Sequence, residues 1–119
     1  MQRNNFVEVA KYSRLKPVTI NECVLRVTKK ALIASRQAVL MLGAPRYVEY
    51  YINYDDKEIA IKPAKRGKGR KVTNGYAYLQ GRRFMEFIKQ YGRGVRCFNA
   101  ERLDDGVLVF AFEEDVCGQ

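Results

Sequence analysis

Residues 70–92 read RKVTNGYAYLQGRRFMEFIKQYG and carry the order of elements on which the architecture turns. Asn74-Gly75 is a strong signal for a two-residue hairpin turn, because both residue types tolerate positive φ. It separates Lys71-Val72-Thr73 from Tyr76-Ala77-Tyr78-Leu79, two short runs of strand-favouring residues. Phe84, Met85, Phe87, Ile88 and Tyr91 then supply the apolar positions of a helix over about 82–91, which Gly92 stops. Val95-Arg96-Cys97-Phe98 resumes β structure, Asp104-Asp105-Gly106 turns the chain, and residues 107–112 form an apolar closing strand.

Working outward, the preceding half has the same order. Val18-Thr19-Ile20 opens a β-rich segment, Asn21-Glu22-Cys23 turns, and residues 24–28 alternate as a second strand. Thr28 is then placed to cap a helix from Lys29 to about Leu42, which Gly43 and Pro45 end. RYVEYYINY (46–54), a turn at Asp55-Asp56-Lys57 and the alternating run 58–62 make a hairpin. Residues 5–12 read as a leading strand or arm. Each half is thus strand, turn, strand, helix, strand, turn, strand, with the first helix the longer. The expected fold class is α+β, mostly β: one compact body over 1–119, built from repeats 14–63 and 72–113 joined by a basic linker, 64–71. Units this short bury a core poorly alone, so the two halves are expected to pack face to face as a pseudo-twofold body.

The chain carries 22 Lys and Arg against 13 Asp and Glu, a net +9. The excess is shared almost evenly between the halves, and it favours a polyanionic partner, since neutralising phosphates releases condensed counterions. Its densest part is KPAKRGKGRK (62–71), where six of ten residues are Lys or Arg. That run reads both as a solvated connection and as an arm lying along phosphates. Among the eight tyrosines, Tyr76 and Tyr78 share one face of a strand beside it.

Other chemistry finds little support. The chain has no histidine, and Cys23, Cys97 and Cys117 form no CxxC pair, so one chain does not supply four structural zinc ligands. The cysteines are expected reduced, in a cytoplasmic protein without cofactor or metal. Apolar runs such as 38–42 are too short to span a bilayer. Asp55-Asp56 and Asp104-Asp105 are the acidic pairs, both in turns where Asp bonds the local backbone, so no enzyme activity is expected. The glycines at 67 and 69 lack the GxxxxGK[ST] pattern of a phosphate loop.

Three stretches, PVTINECVLRVTKKAL (17–32), a helix ending in LGAP (42–45) and a hairpin ending in KEIAIKPAK (57–65), resemble the swapped-hairpin fold of the AbrB, SpoVT and MraZ type of bacterial DNA-binding protein. Residues 70–92 and the hairpin after them resemble it more weakly, and together the matches cover about 16–112. The chain departs from the family at Cys23-Val24, where Gly-Arg is usual, at Thr28, where Pro opens the helix, and after Gly75, where Tyr replaces Arg. The resemblance implies two swapped-hairpin units in tandem on one chain, and duplex DNA held by basic residues of the first hairpin and of the strand entering the helix. Carried over by position, these are Arg14, Lys16, Arg26, Lys29 and Lys30 in the first half, and Arg70, Lys71, Arg82 and Arg83 in the second.

The basic run adds Lys65, Arg66 and Lys68. The function expected is that of a duplex-DNA-binding transcriptional regulator of bacterial or phage type. Two alternatives stand beside it: an antitoxin- or inhibitor-like module for an acidic protein partner, and an RNA or single-strand binder. A homodimer is also open.

Overall fold

The computed structural model describes residues 18–92 and 94–112. Arg14, Lys16, Cys117 and the 5–12 stretch lie outside them. Eight strands, β1 (Val24–Val27), β2 (Leu32–Ala34), β3 (Tyr47–Asn53), β4 (Glu58–Ala64), β5 (Arg70–Thr73), β6 (Tyr76–Leu79), β7 (Arg96–Asp104) and β8 (Val107–Ala111), are joined by helices α1 (Arg36–Met41) and α2 (Arg82–Tyr91). The expected α+β, mostly β class is the one the chain adopts.

The strands close into an antiparallel barrel in the order β1-β2-β6-β5-β3-β4-β8-β7, with β7 returning to β1. Exchanging β1–β4 for β5–β8 leaves this ring unchanged. Each tight hairpin is inserted into the other half of the chain. β1–β2 lies between β7 and β6, and β5–β6 lies between β3 and β2. Each strand has a neighbour on both sides, although β5 pairs with β3 only at Tyr47 and Val48.

Alternation builds the core. Leu25, Val27, Leu32, Val48, Ile59, Ile61, Leu79, Leu108 and Phe110 are buried, and their registers place them in facing pairs such as Val27 with Leu32, and Leu32 with Leu79. Because β2 and β6 run antiparallel, α1 and α2 leave them at opposite ends of the barrel. α1 buries Ala38 and Val39, and α2 buries Phe84, Phe87 and Ile88. Over the α2 end, Phe87, Tyr91, Phe98 and Phe112 form an aromatic cluster, with Phe87 and Phe112 edge to face at 5.1 Å.

Several local expectations hold. Asn74-Gly75 and Asp105-Gly106 are two-residue turns with φ of 55° and 81°, and of 55° and 80°. α2 spans 82–91 and ends at Gly92.

The first half differs. Residues 18–20 form no strand, and Ile20–Glu22 is a single 3-10 turn. Thr28 does not cap a helix. Its hydroxyl accepts from the amides of Lys30 and Ala31 (3.2 Å each) and closes the tight turn between β1 and β2. Leu32–Ala34, expected to be helical, is the short strand β2. It is held on both sides, by β1 and by β6, and this non-local pairing overrides helix propensity. α1 therefore starts only after Ser35, whose Oγ accepts from Ala38 N (3.2 Å) and from Val24 N (3.1 Å). It is the shorter helix, not the longer. The expected 64–71 linker also shrinks: Ala64 ends β4, Arg70 begins β5, and only 65–69 connects them.

Cys23 is free and fully buried, and burial pushes its thiol up to about 11. Cys97 is disulfide-bonded, against the expectation of reduced cysteines. Among the described residues no helix is long and apolar enough to cross a membrane.

Candidate nucleic-acid interface

The 65–69 connection fixes the site. β4 and β5 flank β3 on opposite sides, so the chain leaving Ala64 must cross over the outer face of β3 to reach Arg70. It crosses closely: a Cβ on Gly69 would stand 2.3 Å from the Val48 carbonyl oxygen. Gly69, at φ +75°, is therefore required by both space and backbone conformation. The crossing lays Lys65, Arg66 and Lys68 on the wall whose outward residues are Tyr47, Glu49 and Tyr51.

Three adjoining hollows share this wall. One is lined by Glu49, Arg70, Arg82, Arg83 and Glu86, with Tyr50 and Gly81. The second has Glu49, Lys62, Lys65, Lys68 and Asp105, and the third Arg46, Tyr47, Arg66 and Lys71. Nine cations thus meet three carboxylates. Among the described residues, ion pairs involve only Arg102, with Glu58 (2.9 Å) and Glu101 (2.8 Å), so none of the nine is neutralised by a salt bridge.

Tyr51 is at the centre, 41% exposed. The Arg83 guanidinium lies 4.9 Å and the Lys62 ammonium 5.4 Å from its ring centre, and its hydroxyl donates to Glu49 (2.8 Å). These contacts hold two cations upright on the surface.

Tyr50, on the inner face of β3, fixes where α2 begins. Its hydroxyl donates to the Gln80 carbonyl (2.8 Å) and accepts from Phe84 N (2.9 Å). Burial pushes this hydroxyl above the ordinary tyrosine range. The neutral, donating form is therefore favoured by folding. Its contribution is complete below the unfolded value of about 10 and is lost as pH rises through the folded one. Tyr50→Phe leaves two backbone groups without that partner and is expected to cost about 1–3 kcal/mol, read from the urea midpoint at neutral pH.

Of the twelve residues expected from the sequence, Lys65, Arg66, Lys68, Arg70, Lys71, Arg82 and Arg83 come together on this wall. Arg26 does not. It is on β1, diametrically opposite β3 in the ring, beside Ile33, Tyr76 and Tyr78. Lys29 and Lys30 occupy the β1–β2 turn, not a helix start. Arg14 and Lys16 are outside the described residues. The sequence reading missed Arg46, Lys62, Tyr47 and Tyr51. Lys62 was legible as part of the basic run, but only the pairing of β3 with β4, with Glu49 opposite Lys62, puts it beside Tyr51. Tyr76 and Tyr78 do share a face, with ring centres 6.4 Å apart, but on β6, where Arg36 covers Tyr76 at 5.0 Å.

No family model, curated protein or solved structure matches the chain.

Proposed function

We propose that this protein binds duplex DNA through the outer wall of β3 and the loop crossing it, and that it acts as a transcriptional regulator. The observation that carries the reading is the convergence of nine cations, drawn from three separate stretches of the chain, onto one wall with few carboxylates and, among the described residues, no neutralising ion pairs. Such a field attracts phosphates through counterion release and needs no chemistry from the protein. The strand ring that survives exchange of the two halves, with each hairpin inserted in the other, supports the further proposal of two swapped-hairpin units in tandem, similar to the AbrB type.

A pair of charge reversals tests the placement. Lys65→Glu with Lys68→Glu is expected to weaken binding of a short duplex about tenfold or more, measured by fluorescence anisotropy. Arg26→Glu, on the opposite wall, is expected to leave it nearly unchanged. Equal losses from both variants would show that binding is spread over the whole surface.

A further inference from the structure

Within the basic wall one hollow differs from the rest. It holds about 550 Å³ between β3 and the start of α2, and three arginines reach it from two distant positions in the chain. Resting on the nucleic-acid reading above, we propose that this hollow is a clamp for a single backbone phosphate, gripped by Arg70, Arg82 and Arg83. It would set the register of the duplex, while the loop lysines attract it without fixing its position.

Two glycines make the grip. Gly69 sits against the Val48 carbonyl and so starts Arg70 close to β3. The Arg70 guanidinium then passes over Gly81, where a Cβ would be 3.0 Å from Nη2 and where φ is +107°. A Cβ at 81 would crowd Nη2, and the left-handed backbone there disfavours any side chain. Arg83 is steadied from the other side by the rings of Tyr51 and Tyr50, at 4.9 and 5.9 Å. Guanidinium groups match phosphate oxygens in paired, planar hydrogen bonds, which an ammonium does not reproduce.

Charge sets the occupancy. Glu49 and Glu86 share the lining, so the hollow holds one more cation than anions, matching one phosphodiester. Glu49 is already engaged by the Tyr51 hydroxyl.

The test uses charge-conserving variants of the full chain. Arg70→Lys and Arg83→Lys keep the field but lose the fork. Each is expected to weaken duplex binding about tenfold, with the slope of log K against log salt unchanged. Arg26→Lys, on the opposite wall, serves as the control and is expected to have little effect. Wild-type affinity in Arg70→Lys and Arg83→Lys overturns the clamp and leaves the DNA reading standing. Absence of duplex binding by the wild-type protein overturns both.

Discussion

Replacing Lys65, Arg66, Lys68, Arg70 and Lys71 together by glutamate will lower duplex affinity by about a thousandfold at low salt. The five sit on the crossing loop and the start of β5, all of them exposed, and none is held by an ion pair among the described residues. Each substitution removes an attraction for phosphate and adds a repulsion in the same place. Because β3 carries this loop across its outer face, the reversed charges would lie among Arg46, Lys62, Arg82 and Arg83 and cancel their field as well. Stability should change little, since exposed substitutions away from special contacts usually cost within about 0.5 kcal/mol each. Anisotropy and thermal unfolding measured on one preparation separate the two effects. Wild-type affinity in the folded variant would mean that the loop only connects two strands.

The largest effect on stability is expected from Phe87→Ala. Phe87 is fully buried in the aromatic cluster over the α2 end of the barrel. Its ring packs against Tyr91 at 5.2 Å and Phe112 at 5.1 Å, with the Arg96 guanidinium 5.9 Å away. Removing it deletes the ring's transfer free energy and leaves a cavity that rigid barrel strands fill poorly, a loss of about 3–5 kcal/mol. Domains of this kind are stable by only about 5–15 kcal/mol, so the variant would be marginal. The urea midpoint should fall with little change in slope. Met85→Ala on the same helix is the comparison. Met85 is 58% exposed and should cost well under 1 kcal/mol. Equal losses from the two would contradict the described packing of α2.

What the sequence made legible follows from how local each determinant is. The turns at 74–75 and 105–106 need positive φ at two consecutive residues, and Asn-Gly and Asp-Gly announce that directly. α2 has a full amphipathic stripe and a glycine stop, so its extent could be read closely from the sequence. Residues 28–42 could not. Ala31 to Ala34 is a short apolar run with no strand alternation, and its state is set by β6, more than forty residues away. The same non-locality governs the site. The basic run was visible as composition, but its position over β3 depends on β4 and β5 flanking that strand, and Arg82 and Arg83 join it where β6 and the Tyr50 hydroxyl bring the start of α2 to β3. Arg26 was misplaced for a related reason: proximity in sequence to a turn says nothing about which wall of a closed barrel a residue occupies.

The proposal that this basic wall meets duplex DNA is tested most directly by a salt titration of binding. With five to seven phosphates neutralised at about 0.9 each, log K should fall against log salt with a slope of about −4.5 to −6.3. A slope near zero, or no binding at low salt, would contradict it.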